Sequence, residues 1–424
     1  MSSLVIENGR VMDPARGVDE KRDLWILDGR VARAPTRPPP DLPRLDARGR
    51  VVCPGLIDMH VHLREPGRSD KETIGSGTRA AARGGFTSVV CMPNTSPPAD
   101  QAGTVEFIKA RAREHGTVRV FPTGAITVGL KGEQMAEIGA LKRAGVVAVT
   151  DDGHCVQNNE VMRRAVEYAK MFGLPVLDHC QDYALSAEGV AHEGYWSMAL
   201  GLRGWPSIAE EVIVARNCLL AEKADWKIHM QHLSAAGSVR LLREARTRGV
   251  KVSGEVCPHH LALTDESLKG YDTAFKMNPP LRSEADVEAL LEGIADGTIE
   301  ILASDHAPHC CYEKEVEFDF APFGIVGLET ELGVFLTKLV HKKVLSLSKM
   351  IAMLTVNPAR LLGLELGTLA EGATGDVTVF DPDLEWTVDR EEFLSHGRNT
   401  PFHGWQLKGR ATATIVGGKI AWQG

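Results

Sequence analysis

The 424-residue chain lacks most of what would take it out of the ordinary globular class. It has no run of about 18 uncharged apolar residues, the length a membrane-spanning helix needs. The N-terminal MSSLVIENGRVMDPARG reaches Asn, Arg and Asp before the apolar core of a signal peptide could form, so the expected location is cytoplasmic. Cysteine is sparse, with eight residues and no C-x-x-C, which excludes a disulfide scaffold and leaves reduced thiols. No basic excess exists either. With 48 Lys and Arg against 56 Asp and Glu the net charge is −8, which argues against nucleic-acid or anionic-membrane partners and favours a small molecule or a protein. His192-Glu193 is not followed by the second histidine of H-E-x-x-H, so a metalloprotease helix is absent.

What is present is 15 histidines, several beside aspartate in short apolar runs, and a change of texture along the chain. SLVIENGRVM and DLWILDGRVA carry Asn-Gly and Asp-Gly between apolar runs, the strongest short hairpin pattern, and a proline-rich connector follows. GDVTVFDPD, EWTVD and ATATIVGGKIAWQG repeat that texture at the C-terminus. Sheets kept apart at the two ends would leave open edges, so residues 1–54 and 363–424 are expected to form one small β-sandwich domain.

Between them, strand-like runs at 51–62, 87–93, 118–126, 146–152, 175–180, 227–233, 250–259 and 299–308 each precede a helix-like stretch. Eight such units predict a (β/α)8 barrel over 55–362, with its active site at the C-terminal ends of the strands. An open doubly wound sheet has the same alternation; the count of eight favours the barrel.

His60 and His62 close the first run, and alternate strand residues share a face, so both can reach one ion. Taken alone, H-x-H reads as well as two hydrogen-bonded core histidines. Asp152, His179, His232 and Asp305 end later runs at the same structural level, which makes coincidence a poor explanation. Six N and O donors exceed one tetrahedral zinc and suit a pair of divalent ions with one carboxylate bridging.

The segments DMHVHLREPG and ASDHAPHCCYEK resemble the two signature motifs of the dihydroorotase family, within the amidohydrolase superfamily. Similar text continues through CMPNT, TDDG, CPHHLALTDE, FKMNPPLR and APFGIVGLET, so the resemblance spans nearly the whole chain. It is greatest to the bacterial type I branch, in which an aspartate occupies the place where many relatives carry a metal-bridging carboxylated lysine. The resemblance implies Zn2+, one or two ions per subunit with two favoured. It implies that His60, His62 and Asp305 hold one ion and His179 and His232 the other, with Asp152 bridging. Of Asp151 and Asp152, alternation allows one to face the mouth, and the resemblance selects Asp152.

The same resemblance implies the reversible cyclisation of N-carbamoyl-L-aspartate to L-dihydroorotate, a step of pyrimidine biosynthesis. Asp305 is then the catalytic residue, taking the proton of the attacking oxygen and delivering it to the departing ring nitrogen. The substrate-binding set implied is His62, Arg64, Asn94, Asn278, His309, Phe323 and Gly324. Arg64 and Asn94, aided by His309, grip the α-carboxylate, while Asn278 and the Phe323-Gly324 backbone meet the ring. Asn278 also reads as a turn residue before Pro279-Pro280. The charged stretch from Pro308 to Pro322 is expected to close over the substrate, which slower proteolysis with substrate bound would check.

Two rivals stand. Dihydropyrimidinases, hydantoinases and allantoinases share the chemistry, yet no lysine ends the VTDDGHC run. Non-catalytic scaffolds of aspartate transcarbamoylase usually lack the metal histidines, whereas His60, His62, His179 and His232 are all here. The resemblance leaves open a homodimer and an association with that transcarbamoylase. His229 stands an odd number of residues from His232, so it is expected to face away and pack; His154, His259, His260 and the cysteines near the donors are likewise read as structural.

Overall fold

Gly55 divides what the sequence presents as one apolar run, 51–62. Val51–Pro54 pairs antiparallel with Val377–Thr387, whereas Leu56–Val61 pairs parallel with Phe86–Cys91. A Cβ at Gly55 would collide with the Thr87 side chain, so a residue without one is needed where the chain crosses between two sheet systems. The structure is a computed structural model that describes residues 2–37 and 40–424; Met1, and Pro38 and Pro39 in the proline-rich connector, lie outside the described residues.

The barrel is a ring of parallel strands. Leu56–Val61, Phe86–Cys91 and Arg119–Pro122 form one arc. Val176–Asp178, Ile228–Met230, Val252–Val256 and Ile301–Leu302 form the other. Val149 bridges Gly124 on one side and Val176 on the other, and Val61 bridges His306, so the ring closes. The fourth strand, expected over 146–152, is short: residues 147–150 exchange backbone hydrogen bonds with Pro122 and Gly124 on one side and with Pro175 and Leu177 on the other. Beyond it the Asp151 carboxylate accepts the backbone N–H groups of Ile126 and Thr127.

Helices follow the strands on the outside, and their ends are written in the sequence. Asn158 caps Asn159–Met171 by accepting from the N–H groups of Glu160 and Val161, and the left-handed Gly173 follows its end. That helix buries Met162, Ala165, Val166 and Ala169, the i, i+3, i+4, i+7 stripe of a helix lying on a sheet. Met59, Val90, Met92, Ala148, Leu177, Ile301 and Ala303, drawn from the barrel strands and the bridging segment, pack as an apolar plug. The polar donors lie at the strand ends beyond it.

The terminal segments form two sheets. A four-stranded sheet runs Arg30–Ala32, Leu24–Leu27, Leu4–Glu7, Arg44–Asp46; a six-stranded one runs Lys419–Gln423, Gln406–Val416, Val377–Thr387, Val51–Pro54, Arg10–Asp13, Val18–Lys21. Their shared core of Ile6, Val11, Ile26, Val52, Val379 and Ile415 makes the sandwich. Asp28-Gly29 makes the expected hairpin, but Asn8-Gly9 does not: Leu4–Glu7 and Arg10–Asp13 belong to different sheets. Asn8 still takes the left-handed conformation the dipeptide favours, and spends it on a corner between sheets. Among the described residues no helix is long and apolar enough to cross a membrane.

Candidate metal centre and active site

The six expected donors converge. His60 lies in the first barrel strand and His62 just beyond it; His179 follows Asp178 and His232 lies two residues past Met230. Asp152 and Asp305 stand three residues past Val149 and Leu302. His232 and Asp305 hold left-handed backbone, with φ of 33° and 49°. Such conformations cost about 1–3 kcal/mol each, and here they turn two donors inward where the strands have already ended.

Asp152 stands at the centre. Its Oδ1 lies 3.2 Å from His60 Nε2, 3.7 Å from His179 Nδ1 and 3.9 Å from His232 Nε2, and its Oδ2 lies 3.4 Å from His62 Nε2. Asp305 Oδ1 lies 3.1 Å from His62 Nε2 and 3.5 Å from His60 Nε2. Two three-donor groups, His60–His62–Asp305 and His60–Asp152–His232, are compact enough to hold an ion.

Three imidazoles have their outer nitrogen committed. His60 Nδ1 donates to Glu255 at 2.6 Å, His62 Nδ1 to Asn94 Oδ1 at 2.9 Å, and His179 Nε2 to Gln181 Oε1 at 3.0 Å. Each inner nitrogen therefore presents a lone pair to the others and to the two carboxylates. His60 Nε2 is fully buried without a hydrogen-bond partner. Lone pairs from nitrogen and oxygen crowded this way repel unless a cation sits among them, so the donor set fits a divalent metal.

The carboxylates draw positive charge into the cluster: burial lowers the His60 imidazole, but Asp152, Asp305 and Glu255 outweigh it and hold the ring well above its usual value. Burial likewise pushes the Asp152 carboxyl upward, but His60, His179 and His62 hold it well below the usual carboxylate range. Burial, then His179 and His60, keep His232 neutral. Burial alone would raise Glu255, yet His60 and His229 bring it down to about 2.

Above the donors a cavity of about 140 Å³ is lined by His62, Arg64, Asn94, Asp152, His179 and His232, together with Asn278, Asp305, Phe323 and Gly324. Of the residues expected in the site, His60 and His309 do not line it. His60 is sealed beneath. Burial lowers the Arg64 guanidinium to about 10 against the pull of Asp305 and Asp152, so it remains a cation at neutral pH. Asn94 does more than face the cavity: besides accepting from His62, its Nδ2 donates to Asp152 at 3.3 Å. Asn278 Nδ2 donates to Gln181 at 3.1 Å, while its Oδ1 is buried without a hydrogen-bond partner. Gly324, at φ 124°, has no room for a side chain between Ala307 and His309.

His309 stands behind the cavity lining, against Phe323. Nδ1 accepts from Lys71 Nζ at 3.1 Å and Nε2 donates to the Phe323 carbonyl at 2.8 Å, so both ring nitrogens are in use. Burial, then Arg64 and Lys71, push it down to about 2; the ring is neutral and adds no positive charge. The 308–322 stretch is tied down by two buried lysines. Lys276 donates to Phe318 O at 2.7 Å, and Lys314 donates to Pro322 O at 2.7 Å and to Thr273 O at 3.1 Å.

His229 departs from the alternation reading. Because His232 lies past the strand end, counting parity between the two fails, and the His229 ring reaches Glu255 at 3.1 Å beneath His60. His259 and His260, with Cys257, form a separate buried donor group that does not line the cavity. Sequence reasoning missed Glu255, whose signal was an acid within a strand buried at every residue. Lys71 had none: in RSDKE it reads as a solvated charge run.

Comparison with known proteins points one way. A family model described as "Dihydro-orotase-like" matches residues 49–238. A protein of Pelotomaculum thermopropionicum named "Dihydroorotase" is 56% identical over 421 residues, covering 99% of this chain and 98% of that protein. One of the same name from Syntrophotalea carbinolica is 52% identical over 421 residues, covering 99% of both chains. Among solved structures, the L-hydantoinase (dihydropyrimidinase) of Arthrobacter aurescens superposes with a TM-score of 0.89 at 26% identity, covering 99% of this chain and 96% of that one. Identity at this level over essentially the full length, with buried histidines and aspartates converging at the mouth of a barrel, leaves one assignment: the chain belongs to the dihydroorotase family.

Proposed function

We propose that the protein catalyses the reversible cyclisation of N-carbamoyl-L-aspartate to L-dihydroorotate and water. One observation carries this reading: a buried set of four imidazoles and two carboxylates opens into a small cavity whose cationic wall residue is Arg64. The N and O donors suit Zn2+, and their number suits two ions, with Asp152 between His60, His62 and Asp305 on one side and His179 and His232 on the other. Zinc bound there supplies a water acidic enough to attack near neutral pH and a Lewis acid for the ring carbonyl.

The chain's own residues do the rest. Asp305 Oδ1, beside His62 and facing the cavity, takes the proton of the attacking oxygen and hands it to the ring nitrogen as the C–N bond breaks. Arg64 pairs with the ring carboxylate, and the unpartnered Asn278 Oδ1 accepts a ring N–H. His309 acts through Phe323, holding the carbonyl and the adjoining Gly324 in place. The two-ion count, the compartment, taken as cytoplasmic, a homodimer and an association with aspartate transcarbamoylase belong to this reading. So does the division into a barrel at 55–362 and a sandwich of 1–54 with 363–424.

Removing the charge-assisted bonds of Arg64 should cost about 1.5–3 kcal/mol of substrate binding. Arg64→Met should therefore raise KM for both substrates by roughly ten- to a hundredfold and lower kcat less; steady-state kinetics in both directions check it. Ring closure turns a dianion into a monoanion and takes up one proton. Incubated with N-carbamoyl-L-aspartate, the protein should drive the mixture to a ratio of dihydroorotate to N-carbamoyl-L-aspartate that rises about tenfold per unit fall in pH while both carboxylates stay ionised. No dihydroorotate at any pH would refute the assignment.

A further inference from the structure

Glu255 is a buried acid beside the donors that the mechanism above leaves without a role. It lies in Val252–Val256, every residue of which is buried, and is itself 0% exposed. No lysine or arginine pairs with it; its partners are histidines. Oε1 accepts from His60 Nδ1 at 2.6 Å and from the His232 backbone N–H at 3.3 Å, and Oε2 lies 3.1 Å from His229 Nε2. His229 is anchored in turn by Ser253 Oγ, 2.8 Å from its Nδ1. One buried carboxylate thus touches two of the six donors and is fixed from behind by a third histidine.

An imidazole in this position has two neutral tautomers. With the proton on Nε2, His60 would donate to Asp152 at 3.2 Å or Asp305 at 3.5 Å, and the donor cluster would satisfy itself internally. With the proton on Nδ1, Nε2 is a free lone pair aimed at the same carboxylates. The groups near Nδ1 decide between them. Glu255 Oε1 can accept that proton; the Gln231 amide nitrogen, 3.3 Å away, cannot.

We propose that Glu255, backed by His229, is a positioning residue for metal capture: it holds the His60 ring in the tautomer and orientation that leave Nε2 open to a divalent ion. The proposal rests on the metal-dependent reading of the site. Removing such a hydrogen-bond partner typically weakens metal affinity by about 10- to 100-fold.

The test is zinc affinity, measured on the full chain by competition with a chromogenic chelator, without substrate. Glu255→Gln keeps the shape and one acceptor oxygen but not the charge; it should weaken zinc binding about tenfold, and Glu255→Ala about a hundredfold. A folded glutamine variant that binds zinc within about twofold of the unsubstituted protein would overturn the proposal, since a purely structural ion pair predicts lost stability with unchanged affinity. Should the glutamine variant fail to fold, Glu255→Asp decides. It keeps the charge but is one methylene too short to span His60 and His229 together, so native affinity there would equally overturn the proposal. If the unsubstituted protein neither binds zinc nor opens dihydroorotate, the functional reading has failed; if it does both and the variants keep zinc, only this inference has.

Discussion

Asp305→Asn should reduce turnover of dihydroorotate by about 10²- to 10⁴-fold, the range that a positioned acid–base group contributes, while KM changes by less than about threefold. Asparagine keeps the size of the side chain and one oxygen toward His62, so the cavity wall survives; what is lost is the carboxylate's charge and basicity, which let it carry the proton between the attacking oxygen and the ring nitrogen. The left-handed backbone at 305 tolerates asparagine better than most residues, which keeps the variant a test of chemistry and not of folding. Initial rates in both directions with a circular-dichroism melt check it. Turnover within about tenfold of the unsubstituted enzyme would remove Asp305 from the role of proton carrier.

Stripping the metal should have the second large effect, on activity and on stability. His60, Asp152 and His232 are buried, and His60 Nε2 has no hydrogen-bond partner. A ligand that binds the folded state at a free concentration a thousandfold above its Kd contributes about 4 kcal/mol. Exhaustive dialysis against a chelator should therefore lower Tm by several degrees. It should also cut turnover by roughly a thousandfold, since a Lewis acid contributes several kcal/mol to the barrier. Added Zn2+ should restore both. Calorimetry and assay of the same sample check the pair, and a stripped protein with unchanged Tm and rate would contradict the metal-centred reading.

The sequence was most legible where local geometry repeats. His60 and His62 announce themselves through strand alternation, and the placement of Asp152, His179, His232 and Asp305 follows from the barrel rule that sites gather at C-terminal strand ends. Legibility fell wherever the chain leaves regular structure. The strand expected over 146–152 pairs only over 147–150, and past it the Asp151 side chain takes up the backbone N–H groups of Ile126 and Thr127. Parity failed at His229 because His232 lies past the strand with φ 33°. Asn8-Gly9 turns the chain between sheets instead of folding it back, a choice set by which sheet buries Ile6 and Val11 and not by the dipeptide. Roles carried by partners distant in sequence stayed hidden altogether. Glu255 meets His60 across 195 residues, and Lys71 meets His309 across 238.

Substrate choice between a ring with a carboxylate and one without tests the account most directly. Arg64 on the cavity wall predicts that the zinc-loaded protein opens L-dihydroorotate with a kcat/KM at least about tenfold above that for dihydrouracil or hydantoin, the discrimination expected from one charge-assisted contact. Zinc content should be measured on the same sample. A metal-loaded protein that opens dihydrouracil or hydantoin faster than dihydroorotate would contradict the account.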